Sequence, residues 1–74
     1  MTVTIKSETI NGYYIEITQE KFSSAYDVSA SEEIDSLWYT VNENTYATIE
    51  AAKKRYSYLK SQAKKGYIPT SSRY

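Results

Sequence analysis

Apolar residues alternate with polar ones through the first part of the chain and recur every three or four residues through the last part. Alternation is the mark of a half-covered strand and the longer period that of an amphipathic helix. Residues 3–10 and 13–18 flank Asn11-Gly12. Asn-Gly is the leading two-residue hairpin dipeptide, because both residues tolerate the positive φ of a type I′ turn. A two-residue loop sets Ile10 opposite Tyr13, Glu8 opposite Ile15 and Lys6 opposite Ile17, so Ile10, Tyr13, Ile15 and Ile17 share one face. Val3 and Ile5 then fall on the other face, which demands either a bulge or partial cover on both sides.

A third strand is read at 22–28, where Phe22, Ser24, Tyr26 and Val28 alternate with smaller or charged residues. Residues 29–36 read as a polar loop or a single helical turn, since Ser29 and Glu32 have capping-box spacing. Residues 37–42 have strand composition throughout. From 48 to 65 the spacing predicts a helix. Thr48 or Thr45 caps it, and Ile49, Ala52, Tyr56, Leu59 and Ala63 form its apolar stripe. Gly66 is suited to the position after the last turn, and Pro69 forbids continuation. The expected fold is α+β, a three- to four-stranded antiparallel meander sheet packed on one C-terminal helix. One domain spans 1–74, with an acidic β-sheet region at 1–44, a basic amphipathic helix at 45–66 and a tail at 67–74, whose last residues 70–74 are expected to fray unless a partner holds them.

Composition alters this picture in two places. Ile, Leu, Val and Phe number thirteen of 74, few enough to raise disorder. Nine tyrosines and one tryptophan restore the missing apolar area, so the chain is read as folded. The formal net charge is zero, yet it is segregated. Residues 1–44 carry two basic and eight acidic groups (−6), whereas residues 45–74 carry seven basic groups and one acidic (+6). If the two halves meet, the domain is electrostatically quiet. If they face apart, it offers charged surfaces.

Candidate chemistry is narrow. Cys and His are both absent, which removes disulfides, thiolate sites and imidazole acid–base or metal chemistry. Glycine occurs only at positions 12 and 66, so no phosphate-cradling loop or dinucleotide fingerprint can form. Ser57 and Lys60 have Ser-x-x-Lys spacing, but on a helix surface without oxyanion donors. Glu32, Glu33 and Asp35, with Asp27 nearby, read as solvated acidic residues lacking calcium-loop spacing. No catalytic residue, metal ligand, cofactor or small-molecule substrate is therefore expected, and the protein is read as not an enzyme. No run is long enough for a membrane span, and the N-terminal residues carry no signal or lipidation motif. A cytoplasmic location is the expectation.

Two surfaces remain. Nine tyrosines cannot all be internal in a domain this small, and exposed Tyr and Trp favour binding surfaces. Trp38 and Tyr39 must point to opposite faces of their strand, as must Tyr13 and Tyr14. One of Trp38 and Tyr39 is expected under the helix with Leu59 and Tyr56, and the other facing out as an interface anchor. The candidate protein interface is Trp38, Tyr39, Tyr14 and Tyr58. It would contact another protein or a second copy, as in a homodimer. The alternative is a nucleic-acid interface on the helix, through Lys53, Lys54, Lys60, Lys64 and Lys65 interleaved with tyrosines. A second alternative is an inhibitor whose acidic surface mimics nucleic acid. The leading expectation is a small non-enzymatic protein–protein interaction module. In outline it is analogous to many small phage and mobile-element accessory proteins, an analogy of shape that carries no specific function.

Overall fold

The computed structural model describes residues 2–69. In chain order the elements are β1 (Thr2–Ile10), β2 (Tyr13–Glu20), β3 (Tyr26–Ile34), β4 (Leu37–Tyr46) and α1 (Ile49–Lys64). Each strand pairs antiparallel with its sequence neighbour in the order β1-β2-β3-β4. The fold is α+β, a four-stranded meander packed against a single C-terminal helix.

The first hairpin follows from its turn. Asn11 (φ 50°) and Gly12 (φ 82°) both lie in the left-handed region, and Ile10, Glu8 and Lys6 stand opposite Tyr13, Ile15 and Ile17. Beyond Lys6 the register slips, and Thr4 pairs with Thr18 with Ile5 as the extra residue. This bulge resolves the conflict over Val3 and Ile5. It turns Val3 to the helix side opposite Gln19, and on this edge strand both residues stay largely exposed.

Between residues 20 and 36 the structure corrects two expectations. Residues 21–25 form the β2–β3 turn, held by the Ser23 N–H donating to the Glu20 carbonyl and the Ala25 N–H donating to Ser23 Oγ. Phe22 sits in this turn at 94% exposure, so it does not open a strand. Residues 29–34, read as a loop or helical turn, continue β3 instead. Ser29, Ala30 and Ser31 are weak strand formers, but their small side chains suit the centre of a sheet flanked on both sides. Val28 and Ala30 are fully buried there, and packing context overrides intrinsic propensity. The β3–β4 turn is Asp35-Ser36 with φ of 52° and 67°. It is a second two-residue turn with both residues left-handed, made without glycine.

The helix begins at Thr48, whose Oγ1 accepts from the Ala51 N–H at 3.2 Å. Ala52, Tyr56, Leu59 and Ala63 form its buried stripe. At the far end the Gly66 N–H donates to the Ala63 carbonyl and the Tyr67 N–H to the Gln62 carbonyl. This paired closure requires the left-handed backbone that Gly66 adopts at φ 91°. Asn11 Nδ2 donates to the Ala63 carbonyl at 2.8 Å, so the hairpin turn itself caps the helix.

The core joins this stripe to Tyr13, Ile15, Ile17, Val28, Ala30 and Ile68. Burying each of the largest of these is worth about 1.5–3 kcal/mol. Ile68, in the tail that follows the helix, is 2% exposed and its N–H reaches Tyr13 Oη at 3.4 Å. Pro69 is held by Asn42, whose Nδ2 donates to the Pro69 carbonyl at 2.8 Å. The chain thus stays packed through residue 69, and the expected fraying of residues 70–74 lies outside the described residues.

Candidate protein-interaction surface

One face of the sheet is covered by α1 and the other by no described element. Register and the two-residue pleat assign side chains to each. Opposite the helix lie a row of Thr9, Tyr14, Ser31 and Thr40 and a row of Ser7, Glu16, Ser29 and Glu43. Beside the first row stand Glu33 and Trp38, paired across β3 and β4.

A second bulge decides which aromatic ring joins this face. Ala30 pairs with Asn42 but Ser31 pairs with Thr40, leaving Val41 as the extra residue. An unbroken register would set Tyr39 opposite Glu33 and put Trp38 on the helix side. The bulge reverses the two, and Trp38 lands beside Tyr14 with ring centroids 6.1 Å apart in an edge-to-face arrangement at 62°. The two rings and Ser31 line a shallow hollow of 460 Å³. Ser31 Oγ and Thr40 Oγ1, 3.4 Å apart, supply hydroxyls at its edge.

Tyr39 projects to the helix side without reaching the core, which corrects the expectation that one of the pair packs with Leu59 and Tyr56. Trp38 and Tyr39 are each 49% exposed. The helix ends level with the Asn11-Gly12 turn, where Asn11 caps it, and the β3–β4 hairpin runs on past that turn. The last tie between the two hairpins is the Glu33 N–H to the Gly12 carbonyl. Beyond it Ile34 and Leu37 are 47% and 58% exposed. The projecting hairpin end thus carries Trp38 on the uncovered face and Ile34, Leu37 and Tyr39 on the helix side. Ile34 and Leu37 carry no local signal in the sequence, because no glycine marks the turn between them.

The helix residues separate into two groups. Lys60 Nζ forms an ion pair with Glu8 at 3.2 Å, and Glu8 also accepts from Tyr56 Oη at 2.9 Å. The Tyr56 hydrogen bond, with help from Lys60, holds the Glu8 carboxyl below its ordinary value. Burial, reinforced by Glu8, raises the Tyr56 phenol well above its own. Lys60 is therefore engaged within the fold. Lys53, Lys54, Lys64 and Lys65 are exposed. Tyr58 is 40% exposed with the Arg55 guanidinium 4.8 Å above its ring, so it stands on the helix far from Trp38 and Tyr14. The four candidate interface aromatics thus form one pair on the sheet and two separate positions.

Arg55 also donates to Asn42 Oδ1 at 2.8 Å. Asn42, 2% exposed, links β4, the helix and the terminal segment. Nothing in the local sequence pattern marks that role, because it depends on contacts distant in the chain.

The acidic residues do not assemble into one site. Asp27 accepts from Thr45 towards the opposite end of the sheet from Glu33 and Asp35, and among the described residues no three metal-ligating side chains converge. Instead the register spreads Glu16, Glu20, Asp27, Glu33 and Glu43 over the uncovered face. The exposed lysines of α1 lie on the other side of the domain. The two charged halves mostly face apart, joined across the edge by Glu8 and Lys60. No described helix is long and apolar enough to cross a membrane. Comparison with protein-family models, curated proteins and solved structures finds no match to the chain.

Proposed function

We propose that the protein is a non-enzymatic protein–protein interaction module that engages its partner through the uncovered sheet face and the projecting β3–β4 hairpin. The observation that carries this reading is the Tyr14–Trp38 pair, held edge to face on a sheet surface that no described element covers. Large aromatic side chains cost little entropy to order and are enriched at the energetic centres of interfaces. Here they sit on strands, which hold them in place, and Ile34 and Leu37 extend the apolar area over the hairpin end. About 800 Å² per partner suffices for a specific complex, an area within the reach of a domain this small.

Trp38→Ala tests the reading. Since Trp38 is half exposed and outside the core cluster, the variant is expected to lose its partner while its unfolding midpoint stays within a few degrees of the wild type. Capture from the native cell by both proteins, compared by mass spectrometry, gives the first quantity, and a thermal melt gives the second. Unchanged capture, or a collapse of stability, contradicts the proposal.

A second reading, nucleic-acid binding by α1, is favoured by one observation. Lys53, Lys54, Lys64 and Lys65 face away from the acidic sheet surface and are not neutralised by it. Titration with duplex and single-stranded oligonucleotides at two salt concentrations tests it, because phosphate binding weakens steeply with salt.

A further inference from the structure

We infer that the uncovered sheet face receives a basic segment of a partner protein, with an arginine or lysine side chain seated in the hollow between Tyr14 and Trp38. This rests on the interaction-module reading above and specifies the chemistry of the partner. Three features of the face converge on a cation. The first is the pair of rings, whose electron-rich faces attract a guanidinium or ammonium group. The same contact is made three times within this small domain, by Lys6 over Tyr56 at 5.0 Å, Arg55 over Tyr58 at 4.8 Å and Lys21 over Phe22 at 5.4 Å.

The second feature is the placement of carboxylates around the rings. Glu33 stands directly across from Trp38, and Glu16 lies two residues from Tyr14 on the same face. Ser31 Oγ and Thr40 Oγ1 add hydroxyls that can accept from a guanidinium. The third is the sign of the whole face. Every charged side chain that the register places there, among the described residues, is acidic. Several are hydrogen-bonded, as Glu20 is to Thr2 and Asp27 to Thr45.

The chain's own cations among the described residues are placed elsewhere. Lys6 and Lys60 are turned to the helix side by their contacts with Tyr56 and Glu8, and Arg55 is held by Asn42 and Tyr58. The remaining lysines lie on α1, beyond the covered face, or in the β2–β3 turn. Among the described residues no cation of the chain faces Glu16 or Glu33, so the charge that complements these two beside the rings is supplied by another molecule. An acidic or purely apolar partner would leave Glu16 and Glu33 desolvated without compensation.

The test uses the full chain and a fluorescein-labelled peptide of alternating glycine and arginine, read by polarisation at low salt. Two control peptides replace arginine by citrulline, which keeps shape without charge, or by glutamate. The arginine peptide is expected to bind, and both controls are expected to fail. Trp38→Ala and Glu33→Gln should each weaken binding by about tenfold, the loss of one desolvated cation–ring or ion-pair contact. Glu50→Gln on the helix makes the same charge change away from the face and should leave binding unaltered. Trp38→Leu, which removes the ring but keeps apolar bulk, gives the same reading should Trp38→Ala fail to fold. No binding by the arginine peptide, or equal weakening by Glu50→Gln and Glu33→Gln, overturns the inference. Equal binding of the citrulline peptide that still needs Trp38 overturns it too, while leaving the interaction-module reading intact. If Trp38→Ala affects neither peptide binding nor capture from the cell, both fail.

Discussion

Asn42→Ala is expected to be among the most damaging polar substitutions in the domain. Asn42 is 2% exposed. Its Nδ2 holds the Pro69 carbonyl at 2.8 Å, and its Oδ1 accepts from Arg55 at 2.8 Å and from Asn44 at 3.2 Å. Truncation leaves the Pro69 carbonyl and the Arg55 guanidinium without this partner, and Arg55 Nε is already buried without one. A buried group stripped of its hydrogen bond costs about 1–3 kcal/mol. Because Arg55 is only half-buried and can turn to water, the lower end applies to it, and the total is about 2–3 kcal/mol. A chain of 74 residues has a total stability of about 4–11 kcal/mol, so the loss is a large fraction. In a thermal melt it corresponds to a fall of about 10–20 °C, and the same ordering should appear in urea. Arg55→Met should cost less in the Asn42→Ala background than alone, with a coupling of about 1 kcal/mol, because the two substitutions remove one shared contact. A cost below about 0.5 kcal/mol for Asn42→Ala, or no coupling, would refute the view that this residue ties β4, α1 and the terminal segment together.

Two further substitutions test local features. Ser36→Gly should stabilise the domain by about 0.5–1 kcal/mol in urea unfolding, since glycine relieves the left-handed strain at φ 67°. A loss of stability would show that the Ser36 side chain contributes more than its backbone costs. Glu8→Gln should flatten the acid limb of the stability–pH profile. The folded-state value of Glu8 lies below the reference of 4.5, so its contribution is present above that pH and is lost as pH falls through the folded value. Wild type and Glu8→Gln should therefore differ most near neutrality and converge in acid. Parallel profiles would remove the Tyr56–Glu8–Lys60 contacts from the account of acid sensitivity.

The first hairpin and the helix are legible in the sequence because their signals are local. Asn11-Gly12 sets its own turn, and Thr48, the stripe from Ala52 to Ala63, and Gly66 each announce the helix without help from distant contacts. The middle of the chain is not legible in this way. Ser29, Ala30 and Ser31 become strand because β2 and β4 flank them and α1 covers Val28 and Ala30, facts that no window of the sequence contains. Asp35-Ser36 turns tightly without the glycine that would mark it. The site suffers most from bulges. A bulge changes face by one residue, so the choice between Trp38 and Tyr39 depends on Val41 being the extra residue in β4, and alternation alone leaves it open. The charge asymmetry is plain in the sequence, whereas its arrangement on opposite sides of the domain follows from which face α1 covers.

The central claim is that a partner protein rests on the uncovered sheet face. Position-specific photocrosslinking in the native cell tests it most directly, with a benzophenone side chain placed at Tyr14, beside Trp38, or at Lys54, on the exposed side of α1. The account predicts a discrete protein adduct from position 14 that disappears with Trp38→Ala, and none from position 54. Adducts from position 54 alone, whether to protein or to nucleic acid, would contradict it.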